Sequence, residues 1–154
     1  MRLLRRLFRR PVPSAPASSD LISSDPAGVS YAPRADGRPD PGEVVWGWVP
    51  FEDDPQQGKD RPVLLIGVQD GQFLGLMLTS KDHDRDAADE ARWGRHWMDV
   101  GAGGWDRQRR PSEVRLDRLI RLDTSAVRRE GAALDRVTFD RVVAAASRFH
   151  PLGR

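Results

Sequence analysis

Gly42–Ser80 reads GEVVWGWVPFEDDPQQGKDRPVLLIGVQDGQFLGLMLTS and carries the densest apolar patterning of the chain. Val44, Trp46 and Trp48 alternate with Val45, Gly47 and Val49, the period-2 pattern of a half-buried strand. Val63–Val68 is an apolar run suited to a central strand, opened by Arg61-Pro62. Asp53, Asp54, Pro55, Gln56, Gln57 and Gly58 separate the two as a loop. Gln69, Asp70 and Gly71 then signal a hairpin, because Asp-Gly accepts the positive φ angles of a tight turn. Phe73–Leu78 returns as a third strand, and Thr79-Ser80 closes it. The stretch predicts a compact antiparallel sheet with a site on it.

Working outward toward the C-terminus, Lys81–Arg110 predicts loops lying over that site, with one short helix over Asp86–Trp93 that Asp86 caps and Gly94 stops. Ser112–Asp123 resumes the alternation. Val114 and Leu116, then Leu119 or Ile120 and Leu122, point inward against charged Glu113, Arg115, Asp117, Arg118 and Arg121. These are barrel-closing strands. Arg128–Ala133, with Gly131, reads as a connecting turn. Phe139, Val142, Val143 and Ala146 then form an i, i+3, i+4, i+7 stripe behind Thr138, whose hydroxyl is placed to cap the helix start. Phe149 extends the apolar side, and the helix ends before Pro151.

Toward the N-terminus, residues 11–41 are rich in Pro, Ser, Ala, Asp and Gly without periodicity, so they bury too little surface to offset the entropy of ordering. Residues 1–40 therefore read as a basic amphipathic start and a disordered linker, and residues 41–150 as one small domain. MRLLRRLFRR sets Leu3, Leu4, Leu7 and Phe8 on one helical face against five arginines. It is too short to span a bilayer, which takes ~20 apolar residues, and it has no signal-peptide core. A disordered basic tail is the plainer reading; contact with a membrane surface, with RNA or with a partner groove is the alternative.

The chain has 154 residues and no cysteine, which excludes disulfides and thiolate chemistry. Its formal charge is only +2, but the basic side chains are nearly all arginine, with lysine at 59 and 81 alone. Arginine is the better fork for phosphate and the better plane for stacking on bases. A cysteine-free chain without a secretion signal fits a cytoplasmic protein, although absence of cysteine is permitted in every compartment.

Gly42-Glu43-Val44-Val45-Trp46, Gly58 through Ile66 and Leu78-Thr79-Ser80 resemble the successive strand motifs of the MazF/PemK-type toxins. Pro111-Ser112-Glu113-Val114-Arg115-Leu116 and Asp117–Asp123 are similar to the later strands of that family, followed by its C-terminal helix. The resemblance covers residues 41–149. It implies a mainly β fold with α, a small SH3-like (CcdB/PemK-type) antiparallel barrel plus a C-terminal helix. It also implies a homodimer, an endoribonuclease acting on single-stranded RNA, and neutralisation by a cognate antitoxin protein. Within the family, the arginine before proline and the threonine of the Thr-Ser pair are catalytic, which points to Arg61 and Thr79. Three features depart from the pattern: Met77-Leu78 stands where a proline commonly precedes Thr-Ser, the Lys81–Arg110 region is long, and the N-terminal extension is unusual.

The residues themselves allow that chemistry. RNA brings its own nucleophile, the 2′-OH, so an enzyme that makes a cyclic phosphate needs only to orient, move protons and stabilise phosphate charge. No cofactor is required. Arg61 can grip phosphate oxygens with its planar fork, and Thr79 and Ser80 add hydroxyl donors. A guanidinium, with a pKa above about 12, is a poor base near neutrality. His83, close after Thr79, therefore joins the catalytic candidates, and a solvent-exposed loop residue is its plainer reading. For Arg61 the alternative is a surface salt bridge to Asp60 or Asp53. Lys59, Lys81, Trp93, Trp105 and Arg107 are the substrate-binding candidates, because tryptophan interleaved with arginine is what single-strand binders use. Each tryptophan also reads as a core piece. Asp82, His83, Asp84, Asp86, Asp89, Glu90 and His96 offer metal-ligand types but match no standard spacing, so no metal is assigned. A non-catalytic barrel that binds nucleic acid or a protein is the alternative function, and a regulatory module tethered at a membrane is a third.

Overall fold

The computed structural model describes residues 28–83 and 85–152. The amphipathic start at 1–10, and the linker up to residue 27, lie outside those residues. β1 (Glu43–Pro50), β2 (Gly58–Gln69) and β3 (Gln72–Thr79) form an antiparallel meander. They are followed by α1 (Ala87–Arg92), β4 (Trp97–Gly101), β5 (Ser112–Arg115), β6 (Ile120–Leu122), β7 (Val127–Ala133) and α2 (Arg136–Ala146). Across the sheet the order is β4-β5-β3-β2-β1-β7, with β6 also pairing β3. The expected barrel is thus a barrel-like sheet that does not close, with β4 and β7 at its ends.

The period-2 alternation divides the apolar side chains between two cores. Val44, Leu64, Ile66, Leu76, Leu78 and Val114 meet Phe139, Val142 and Ala146 of α2 in one. Val45, Val49, Val63, Leu65, Met77, Ile120 and Leu122 form the other. A register slip of one residue would exchange the two sets, so the pairing is strongly specified. The turn between β2 and β3 fixes it further: Asp70 and Gly71 have φ of 54° and 80°, the left-handed values that a two-residue type I′ hairpin needs at both positions.

Several expectations change. β2 begins at Gly58, so Gly58, Lys59 and Asp60 are strand residues paired with Pro50, Val49 and Trp48. Within the region read as loops, Trp97–Gly101 is an edge strand on β5. Arg128–Ala133 is not a turn: it belongs to β7, which pairs with β1 through two register shifts. Glu113 and Arg115 are buried rather than outward, at 5% exposure each, because His83 bonds the one, and Glu52 and Asp117 the other, in place of water. Asp86 makes no side-chain cap to α1. For α2 the cap is Asp135, whose carboxylate accepts from the Thr138 amide at 3.0 Å, so Thr138 sits inside the first turn.

Residues 28–41, read as part of the linker, pack on the sheet. Val29 bridges to Gly67 and is buried, and the Val68 and Ser30 amides bond across to Gly28 and Ile66. Gly67 is required there, since a Cβ would collide with the Gly28 carbonyl. The Tyr31 hydroxyl donates to the Leu134 carbonyl at 2.6 Å, and its ring lies 4.9 Å from that of Phe139. Deleting residues 1–38 is therefore expected to destabilise the domain by about 3 kcal/mol, the order of burying Val29 and Tyr31, and to lower Tm by roughly 10 °C. Calorimetry of the truncated and full chains checks this; equal melting would show that the segment contributes nothing.

Candidate active site

The register of β2 on β3 ends at Val63 opposite Met77. Arg61 and Thr79 each lie two residues beyond that pair, on β2 and β3. Both line a cavity of about 230 Å³, together with Lys59, Asp60, Pro62 and Ser80. Its other wall is Trp46 of β1 with Trp105, Asp106, Arg110 and Ser112 from the β4–β5 connection and the start of β5. The fold thus gathers the paired candidates at one end of the meander.

Arg61 is half-buried, and among the described residues no carboxylate pairs with it. Asp60, one of the two partners expected for a surface salt bridge, pairs with Arg128 at 3.3 Å instead. Burial and, after it, the nearby Arg118 charge lower the Arg61 pKa. A guanidinium desolvated next to another cation and without a counter-ion is a site for an anion. Thr79 Oγ1 accepts the Lys81 amide at 3.2 Å, which fixes the hydroxyl while leaving its proton to donate.

The opposite wall is held by a chain of bonds. The Trp46 indole donates to the Trp105 carbonyl at 2.9 Å, and the Trp105 indole donates to Ser112 Oγ at 3.1 Å. Arg110 Nε donates to Asp106 at 2.7 Å, and that bond leads the causes that keep the Asp106 carboxyl below its usual range. Trp46, Asp106 and Ser112 are not among the sequence candidates, and Arg110 figures there only as one of the arginines interleaved with tryptophan. The i, i+4 spacing of Asp106 and Arg110 was the available signal.

The remaining candidates are placed elsewhere. His83 does not line this cavity: its Nδ1 lies 2.8 Å from Glu113 Oε1, and its ring stacks on Trp97 at 4.0 Å and 5°. Burial raises the Glu113 pKa despite the opposing His83 bond. Trp105, expected as a stacking platform, is 4% exposed and belongs to the core, presenting only an edge of the cavity wall. Trp93 is 75% exposed after α1 and does not line the cavity. Lys81 lines the neighbouring recess, which shares Ser80 and Ser112 with the cavity. Arg107 is exposed and lines neither. Of the run that offered metal-ligand types, Glu90 is bound by Arg95 and by the Trp97 indole, and Asp84 lies outside the described residues.

No protein of curated function matches the chain by sequence. A solved structure, that of MazE-MazF (Form-II) from Deinococcus radiodurans, shares the fold with TM-score 0.50 at 18% identity, covering 73% of this chain and 96% of that one. Among the described residues, no helix is long and apolar enough to cross a membrane. The profile of the PemK-like, MazF-like toxins of type II toxin-antitoxin systems matches residues 40–150, and the chain belongs to that family.

Proposed function

We propose that this protein is a sequence-selective, metal-independent endoribonuclease that cuts single-stranded RNA in the cytoplasm as the toxin of a toxin-antitoxin pair. The observation that carries the reading is Arg61, half-buried and free of any carboxylate among the described residues, lining one cavity with Thr79. The 2′-OH of the substrate attacks the adjacent phosphorus and gives its proton to water, the P–O5′ bond breaks, the departing 5′-oxygen takes up a proton from water, and a 2′,3′-cyclic phosphate forms. Arg61 holds the phosphate oxygens as charge builds on them, and the Thr79 hydroxyl, with Ser80 beside it, donates a further hydrogen bond. Lys59 lies at the same cavity and supplies positive charge for the strand, while Arg110 there is paired with Asp106. A homodimer and an antitoxin that occupies the RNA groove complete the reading; a complex of MazE with MazF is what the similar solved structure contains.

The test is direct incubation with single-stranded RNA. Products ending in 2′,3′-cyclic phosphate, cleavage that survives a chelator, and resistance of a strand with a 2′-deoxy sugar at the scissile position are the expected results. Cutting of the deoxy strand, or loss of activity with chelator, would sink the mechanism. An intact strand under all conditions would favour a non-catalytic binding module.

A further inference from the structure

A larger cavity, about 530 Å³, lies apart from Arg61 and Thr79 and has no role in the chemistry above. Its walls come from the long segment after Thr79 and from the end of the chain: His83, Arg95, His96, Trp97, Arg148 and Phe149. Among the described residues, no acidic side chain lines it. Ala87 and Ala91, one turn apart on α1, keep one side shallow.

The cavity is preorganised. His83 is fixed by Glu113 and by its stack on Trp97. Glu90 takes both Arg95 bonds, at 3.0 and 2.9 Å, and the Trp97 indole at 2.9 Å. Those bonds, Arg95 first, hold Glu90 at a pKa of about 2. The Leu116 amide donates to the His96 carbonyl, and His150 Nε2 lies 3.0 Å from the Leu116 carbonyl. At the mouth, Phe149 is 38% exposed, with its ring 4.7 Å from that of His96. Arg148 beside it is exposed and, among the described residues, has no acidic partner.

A planar aromatic face, a free guanidinium and a wall without carboxylates match a nucleobase carrying a phosphate. Thr79 and His83 are four residues apart, so the chain separates them by at most ~14 Å, a gap that a strand seated on Thr79 crosses within a few nucleotides. We infer that this cavity binds a flanking nucleotide of the RNA strand, its base against Phe149 and its phosphate on Arg148. The inference rests on the endoribonuclease reading and adds to it a second subsite, built largely from the extended region after Thr79.

The test uses the full chain and a fluorescent RNA of about ten nucleotides, made uncleavable by a 2′-deoxy sugar at the mapped scissile position. Arg148→Ala and Phe149→Ala are each expected to weaken its Kd by about tenfold, while Phe149→Trp retains binding. A short strand covering only the scissile step should change by less than about twofold in either alanine variant. Photocrosslinking of a 5-iodouridine placed along the flank should yield an adduct on Phe149 or Trp97. If wild type cuts RNA yet both alanine variants bind the long strand normally, the subsite is wrong and the active-site reading stands. Equal loss for short and long strands also overturns it, as does displacement of an acidic aromatic peptide with RNA affinity untouched. If wild type neither cuts nor binds RNA, the endoribonuclease reading fails as well.

Discussion

Arg61→Lys is expected to lower RNA cleavage by about 100-fold or more while changing strand affinity only modestly. Lysine keeps the positive charge but loses the planar pair of donors that can hold two phosphate oxygens at once. If Arg61 stabilises charge that exists only in the transition state, the loss falls on kcat; if it merely attracts the strand, lysine serves nearly as well. Thr79→Val keeps the shape and removes the hydroxyl, and should likewise reduce turnover more than binding. Single-turnover cleavage beside anisotropy on an uncleavable strand separates the two quantities. Wild-type turnover in Arg61→Lys would remove Arg61 from the reaction and leave the fold unaffected.

The second large effect is on stability. The Arg115 side chain is 6% exposed and bonds Glu52 at 2.7 and 3.0 Å and Asp117 at 2.8 to 3.2 Å. Burial alone would lower the Arg115 pKa, but the bonds from Asp117 and Glu52 outweigh it and leave the pKa raised. Asp117 shows the converse: burial pushes it up, and the Arg115 bonds with the His96 amide bring it below its ordinary value. Arg115→Met should destabilise the fold by about 3–5 kcal/mol, because Asp117 is left buried without its counter-charge. Adding Asp117→Asn, which keeps the acceptor for His96, should recover most of that loss. Because the folded pKa of Asp117 is depressed, its contribution is present above the unfolded value near 3.9 and fades as pH falls through the depressed folded value. Urea titrations of single and double variants decide this; a single variant as stable as wild type would show that the network contributes little.

The same network explains why part of the molecule was hidden in the sequence. Val44–Val49 and Phe73–Leu78 announce themselves because they are rich in apolar side chains, alternate ones entering each core. Glu113 and Arg115 break that rule, since a buried charge with a buried partner is indistinguishable in sequence from an exposed one. β7 was illegible for another reason. It carries Gly131 and a run of charges, and only pairing with β1, far away in the chain, makes it a strand. Arg61 and Thr79 were recoverable, because antiparallel register places the start of one strand beside the end of the next. Trp46 and Ser112 were not, since they reach the cavity from β1 and from the start of β5.

β7 also sets the order in which this protein can be finished. Among the described residues it is the strand that covers the outer edge of β1, and it backs the cavity wall: added methyl groups at Gly104 and Gly131 would press on Ala132 and Trp105. Contacts between residues so distant along the chain form late, after the local hairpins of β1, β2 and β3. Synthesis from the N-terminus exposes that first edge for most of the time on the ribosome. A chain that has emerged only through β6 holds Arg61 and Thr79 but lacks the support behind Trp105. Completion of the cavity is thus deferred to the last strand made.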